Sequence, residues 1–313
     1  MDSIIPEYYL NFGLDHSSPS QFTKPIDWFV WNYALNDAKY RQKRPPAPNM
    51  EGGNAVQGDK NRTFIHPTTE KEVTIPAHGL GAYLFEKQTV EQAIMTAEEY
   101  CEEKQIIFSG DDFEHFGEVK KRTPKAIRRA VNCIKEFGVA NQKDLTSEEQ
   151  VKWQYPGIDI TSIGFTDIQS SSHIYEFKTI WFRRKGRSKK TNELLYASNS
   201  LPKKPSYDHL LQTSFYAKAT GKEPVIIYVT GNPIKDGEGY IIFTKENCDD
   251  LTKDGVEKYI EDARQTQQVR QNLFKICKSK KDLTKLVQLN FNNSFYWNNF
   301  TTQEKEEIQK IWV

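Results

Sequence analysis

The chain is 313 residues long, and 37% hydrophobic with 12% aromatic residues is enough apolar material for a sizeable core, which excludes a wholly disordered protein. Its 43 Lys and Arg stand against 42 Asp and Glu, so the net charge of +1 gives no global signature of nucleic-acid binding. That average conceals an asymmetry: Lys178 to Lys204 holds nine basic residues and one acid, Glu193, a local +8 that leaves −7 on the other 286 residues.

Residues 1–50 read as a peripheral helical arm, with Ser17-Ser18-Pro19-Ser20, an aromatic amphipathic segment from Ile26 to Tyr40, and a helix end near Gln42 before Arg44-Pro45-Pro46-Ala47-Pro48. Residues 51–64 read as a Gly-rich entry into a short helix, and 65–78 as irregular structure or short strands broken by Pro67 and Pro76. Val90, Ile94, Ala97 and Cys101 fall at helical spacing within 88–104. Thr123-Pro124 predicts the start of a second helix, with Ile127, Val131, Ile134 and Phe137 on one face and Gly138 as its stop.

The period then changes. Val151 to Gln154, Ile158 to Asp167 and Ile174 to Trp181 are β-branched and aromatic with short turns between them, which predicts an antiparallel hairpin or meander. Ser206 predicts the cap of a helix running to about Ala219 and ended by Gly221, and Pro224 to Val229 and Gly239 to Phe243 read as two further strands. Residues 254–277, Lys281 to Val287 and Thr301 to Val313 read as helices, and Phe291 to Trp297 as C-terminal core packing. This order predicts one α/β domain with a helical arm. Cys101, Cys133, Cys248 and Cys277 lie far apart without zinc-ligand spacing, and the first residues lack the order of a signal peptide. No apolar run nears the roughly 18 residues of a membrane span. The expectation is a soluble cytoplasmic protein with reduced thiols and no membrane partner.

Candidate chemistry centres on the strand around Glu176. Side chains alternate along a strand, so Glu176 and Lys178 share a face while Tyr175 and Phe177 take the other. The turn Gln169-Ser-Ser-Ser172 is short enough to fold Asp167 back beside Glu176. Two adjacent carboxylates repel unless a divalent cation lies between them, and hard oxygen ligands suit magnesium or manganese. A neighbouring Lys can stabilise charge on a phosphorane or poise the attacking water, so the set predicts phosphodiester hydrolysis. Of the four [DE]xK triplets in the chain (Asp37/Lys39, Glu102/Lys104, Glu118/Lys120, Glu176/Lys178), only the last lies in a strand with apolar alternate residues and a preceding Asp. Asp159 is a rival for Asp167 without the Gly-x-x-Asp setting. On the following helix His209, Gln212 and Tyr216 fall at i, i+3 and i+7, one face, with Leu211 and Phe215 beside it as anchors to the sheet.

Gly164-Phe-Thr-Asp167, Glu176-Phe-Lys178 and Gln212-xxx-Tyr216 together resemble the PD-(D/E)XK nuclease superfamily, and the trailing QxxxY resembles its RecB-like exonuclease branch, which includes phage exonucleases and the mitochondrial genome maintenance exonuclease. The resemblance covers about 50–230 and is most specific over 164–216. It implies a restriction-endonuclease-like core over 51–250 with a central mixed sheet flanked by helices, the N-terminal arm over 1–50, and a C-terminal helical extension over 251–313. It further implies that Asp167, Glu176 and the carbonyl of Phe177 hold Mg²⁺, with Mn²⁺ as a substitute, that Lys178 is the catalytic lysine, and that Gln212 and Tyr216 orient the site and the DNA. The branch carries an upstream GxxxH. Gly53-Asn-Ala-Val-Gln57 matches it with Gln57 in place of His, a weaker metal ligand. Ser18-Pro19-Ser20-Gln21-Phe22 loosely resembles the SxSxLxxY opening. Iron–sulfur members bind their cluster through one upstream Cys and three near the C-terminus; only Cys248 and Cys277 stand there, so no cluster is expected.

The implied function is DNA exonucleolysis from single-stranded ends, in the host cytoplasm if the protein is phage-encoded; a structure- or sequence-specific endonuclease and a non-catalytic DNA-binding protein are the alternatives. His209, Thr179 and Trp181 join Gln212 and Tyr216 as candidate DNA contacts. Six of the ten residues Trp181 to Lys190 are basic, and Arg183, Arg184, Lys185 and Arg187 read as a loop that grips phosphates while Trp181 stacks a base. Asp111, Asp112, Glu114 and His115 read as an exposed turn, and His173 as a solvent-facing turn residue. No P-loop, GxGxxG, GxSxG or HExxH occurs, which removes nucleotide-driven motors, Rossmann dehydrogenases, α/β-hydrolases and zincins.

Overall fold

The computed structural model describes residues 5–35, 47–58, 62–65, 72–234, 237–297 and 300–312. The expected helix end near Gln42 and the break at Pro67 lie outside these residues. Short helical turns at Glu7–Leu10 and Pro19–Gln21 lead to a helical segment at Ile26–Phe29 that continues as a π-helix over Val30–Leu35. Helix α1, Pro48–Gln57, starts earlier than the sequence suggested because Pro48 sits in its first turn, where no N–H is needed. It runs across residue 50 and includes the glycines: a Cβ on Gly52 would lie 2.3 Å from a Val119 methyl and 3.0 Å from the Trp181 ring, so this face must be bare for the helix to pack.

A two-stranded ribbon, Arg62–Ile65 with Glu72–Ile75, precedes helix α2, Gly79–Phe85, and helix α3, Val90–Gln105, which Thr89 caps through the Gln92 N–H at 3.2 Å. Helix α4, Gly110–Glu136, corrects the expected start at Thr123. Pro124 lies inside it and removes one backbone bond, a loss of about 3 kcal/mol. A continuous buried stripe of Phe116, Val119, Thr123, Ile127, Ala130 and Ile134 crosses the proline and outweighs that loss, and Thr123 Oγ1 bonds the Val119 carbonyl at 3.1 Å.

The central sheet follows: β1, Thr146–Trp153; β2, Ser162–Gln169; and β3, His173–Ile180. The strand expected from Ile158 starts four residues later, since 155–161 turn around Gly157, whose φ is +75°. After β3 the chain does not form the expected loop. It builds a hairpin of β4, Arg183–Arg187, and β5, Leu194–Ala197. Helix α5, Tyr207–Thr220, ends at left-handed Gly221 and crosses to β6, Glu223–Thr230, parallel to β3; β7, Tyr240–Phe243, pairs antiparallel with β6. The five-stranded mixed sheet has the order β1-β2-β3-β6-β7 and is flanked by helices, the α/β architecture the sequence implied. Helices α6, Lys253–Ile276, α7, Lys280–Leu286, and α8, Thr302–Ile311, complete the chain. Among the described residues no helix is long and apolar enough to cross a membrane.

Two hydrophobic cores lie on opposite faces of the sheet. One holds Tyr175 and Phe177 of β3 with α1, α3 and α4. The other joins Leu211 and Phe215 of α5 with Phe12, Phe22 and Trp31 of the N-terminal segment and Phe274, Trp297 and Trp312 of the C-terminal one. Asp27 ties the two extensions, accepting from Trp297 Nε1 at 3.2 Å and from the Asn290 N–H at 3.1 Å. Phe291 lies edge-on to Trp297, as core packing requires.

Candidate active site

The site forms where β2 and β3 part. Their backbone ladder pairs Gln169 with Ile174 and Ile168 with Tyr175, and goes no further. The next rung would join Asp167 to Glu176. Instead the Asp167 carboxylate reaches across and accepts the Phe177 N–H at 2.8 Å, so a side chain replaces the ladder and opens the strands there. On its other side Asp167 faces Glu148 of β1, and that rung is missing too: Ser147 pairs with Ile168 and Glu149 with Thr166, while Glu148 takes φ +53°. A non-glycine residue held left-handed inside a strand is strained by about 1–3 kcal/mol, a cost that clusters at functional sites. Glu148 was not singled out in the sequence, because its Ser-Glu-Glu setting reads as an ordinary exposed strand edge.

Glu176 is fully buried, and its Oε2 has no hydrogen-bond partner. The Lys178 ammonium forms an ion pair with its Oε1 and lies 3.8 Å from Asp167 Oδ2; the Lys178 side chain is one-quarter exposed, so the group opens to solvent through it. Burial, and then the Asp167 charge, push the Glu176 carboxyl up to about 7, with Lys178 opposing and Glu148 adding slightly. For Lys178, burial works against the ammonium, but Glu176 and Asp167 outweigh it and hold the side chain charged.

Helix α5 closes the site from above. Tyr216 is buried and its ring lies on Gly164, where a Cβ would stand 2.6 Å from its Cε1 and 3.2 Å from Pro19 Cγ. The glycine three residues before Asp167 is therefore the seat of the QxxxY tyrosine, and the Pro19 turn of the N-terminal segment is built against both. Gln212 Nε2 donates to Tyr216 Oη at 3.1 Å. Burial and the Glu176 charge raise the Tyr216 phenol, so it stays protonated. His209 Nδ1 lies 2.7 Å from Tyr228 Oη, which also accepts the Ser206 N–H at 3.2 Å; where the phenol donates to Nδ1, the ring proton lies on Nε2. Burial, with the Lys178 charge, lowers His209 to about 4, so the ring is neutral at physiological pH.

Asp167, Glu176, Lys178, His209, Gln212 and Tyr216 thus share one side of β3. Other expected residues do not. Thr179 falls with Tyr175 and Phe177 by strand alternation and points to the α4 side. Trp181 is 4% exposed and packed on Gly52, and Phe182 is fully buried, so neither ring is open to a base; Gly52 creates the room that draws the indole inward. Gln57, half-buried, ends α1 and makes no hydrogen bond to the carboxylates among the described residues. Asp159 is no rival: it accepts from Tyr8 Oη at 2.5 Å and pairs with Lys275 at 2.9 Å, a tie between the terminal segments. Arg184 pairs with Asp112 at 2.8 Å, and Arg187 with Asp111 and Glu114 at 2.6 and 2.7 Å, so their charge is already met. The supposed acidic turn is the first part of α4. His115 within it is 4% exposed, packed on Phe182 and bonded to Asn49 at 2.9 Å, while burial lowers its pKa to about 4. His173 is half-buried at the start of β3, 3.6 Å from Glu223.

The donor set suits a hard divalent cation. A buried carboxylate is costly unless a charge meets it; Lys178 meets one oxygen of Glu176 and leaves Oε2 without a partner. Among the described residues no three acidic, His or Cys side chains converge on one point. A cation here would take Asp167 and Glu176 and complete its shell with water and phosphate oxygens, as magnesium does.

No protein-family model matches the chain, and no curated protein matches it. Among solved structures it is similar to a Eubacterium rectale protein described as "Putative exonuclease", with 11% identity over 94% of this chain and 91% of that one and a TM-score of 0.48. It is also similar to SSO0001, with 12% identity over 62% of this chain and 98% of that one and a TM-score of 0.24. Both scores lie below 0.5, so the side chains of the site, rather than these likenesses, bear on its chemistry.

Proposed function

We propose that this chain is a metal-dependent nuclease that hydrolyses phosphodiester bonds of DNA from single-stranded ends, in replication, repair or phage DNA metabolism. The observation that carries this reading is the wholly buried Glu176, paired with a charged Lys178 and set beside Asp167 at the point where two strands separate. The resemblance of these residues and of Gln212-xxx-Tyr216 to the RecB-like nucleases supports the same roles. Asp167, Glu176 and the Phe177 carbonyl would hold Mg²⁺ or Mn²⁺, with Gln57 as the remaining residue of the motif set. When bound, the ion supplies an activated water and a counter-charge for the phosphate under attack. Lys178 would hold a non-bridging phosphate oxygen with an ammonium that its two carboxylate neighbours keep protonated. Neutral His209 would offer its Nε2–H as a hydrogen-bond donor, and Gln212, held by Tyr216 on its seat at Gly164, would orient the substrate strand.

A time course on 5′- and 3′-labelled linear DNA and on closed circles, with Mg²⁺, Mn²⁺ or EDTA, tests this. Linear DNA should be degraded with either metal, circles should survive, and EDTA should stop the reaction. Asp167→Ala and Lys178→Ala should each lower the rate by about 10²–10³-fold while unfolding remains cooperative. Undiminished cleavage by both variants would sink the assignment, and cutting of circles would make the protein an endonuclease.

A further inference from the structure

The β4–β5 hairpin has two unlike faces. Its register slips between Arg184 and Gly186, and Gly186 takes φ +114°. A bulge inserts one extra residue, so two side chains three positions apart can reach the same side. Arg184 and Arg187 do so, and both end on the acidic first turns of α4. Arg187 Nη1 also bonds the Asn192 carbonyl at 2.6 Å, and Tyr196 packs edge-on to Phe182. This inner side is docked. On the outer side and at the tip, Arg183, Lys185, Lys189 and Lys190 are exposed and have no ion pair among the described residues, and Leu195 of β5 is exposed as well.

We propose that the outer face and tip of this hairpin bind the phosphate backbone of a DNA strand, and that Arg184 and Arg187 serve to hold the hairpin against α4. The choice of DNA rests on the nuclease reading above. Charge complementarity supplies the first argument: four unpaired cations project from one small ribbon on a chain whose remainder is net acidic. Position supplies the second. Arg183 follows Lys178 by five residues along the same chain, with only Trp181 and Phe182 between β3 and β4, and both rings are buried. A ribbon so rooted cannot swing freely, and it presents its cations next to the end of the strand that carries the catalytic Lys. Docked arginines whose charge is already met would add little, because binding that releases counterions counts only cations free to meet phosphates.

Binding of a fluorescent single-stranded oligonucleotide, measured by anisotropy in EDTA across a salt series, separates the two faces without cleavage. Replacing Arg183, Lys185, Lys189 and Lys190 together by Gln should lower the slope of log affinity against log salt by about 3, since each phosphate contact on single strands contributes about 0.7. Arg184→Gln with Arg187→Gln should change that slope by less than about 1, while speeding amide exchange over 183–197. Hydrolysis of a small phosphodiester too short to reach the hairpin should be unchanged in the outer-face variant. An unchanged slope in the outer-face variant, an equal loss in the inner-face variant, or no binding by the wild-type protein overturns the proposal. Binding lost with the outer cations in a protein that never cleaves DNA would uphold the surface and remove the nuclease reading instead.

Discussion

On β3, Tyr175 and Phe177 look toward α4 while Glu176 and Lys178 look toward α5, and the two sides differ in the charge they bury. The α4 side is dry at this strand: Phe177 is 2% exposed among aliphatic neighbours, and the Tyr175 hydroxyl accepts from Gln142 at 2.9 Å. The α5 side buries a carboxylate paired with the Lys178 ammonium, a neutral histidine and a tyrosine pressed on a glycine. Adjacent residues of one strand therefore serve opposite ends, cohesion on one face and a buried ion pair on the other.

Three substitutions sharpen that contrast. The largest expected effect falls on the dry face, where Phe177→Ala should cost about 3–5 kcal/mol in urea unfolding, transfer and cavity terms together. A loss under about 1 kcal/mol would show that this face is not the cohesive one. Glu176→Gln should do the reverse. The Glu176 carboxyl is raised to about 7, so its protonated form is favoured by folding. Wild-type stability is then fully present below the ordinary carboxylate range, near 4.5, and falls as pH rises through 7. In EDTA the variant should lack this fall and exceed the wild type by roughly 3 kcal/mol at pH 8, with no difference at pH 4; parallel pH profiles would refute a buried carboxyl raised above its ordinary range. The same proton competes with the metal, so Mg²⁺ affinity should rise up to about pH 7 and then level off. The smallest effect is expected for Gly164→Ala, whose Cβ would displace Tyr216, at about 1–3 kcal/mol of overpacking and a loss of cleavage larger than the loss of stability explains.

Much of the site could be read in the sequence, because period-2 alternation put Glu176 and Lys178 together and helical spacing put His209, Gln212 and Tyr216 on one face. The α/β order of elements was legible for the same reason. What escaped depends on packing between distant segments. Pro124 normally opens a helix, and only the buried stripe on both sides of it carries α4 through. Trp181 and Thr179 stand beside the motif in sequence, yet the room above Gly52 and the pleat of β3 turn them to the other face. The left-handed twist at Glu148 leaves no compositional mark, and neither does the bulge that sends Arg184 and Arg187 to the same helix. The charge run was visible as nine cations; which of them already had partners was not.

The tie from Asp27 to Trp297 and Asn290 has a consequence for synthesis. The N-terminal segment leaves the ribosome well before Phe274, Trp297 and Trp312, which cover part of its aromatic surface. At about 5–20 residues per second, Phe12 waits roughly 15–50 seconds for Phe274, against which its ring packs at 5.1 Å. The nascent arm is thus a natural client for a chaperone, and a chain truncated before Trp297 should expose the same surface for good.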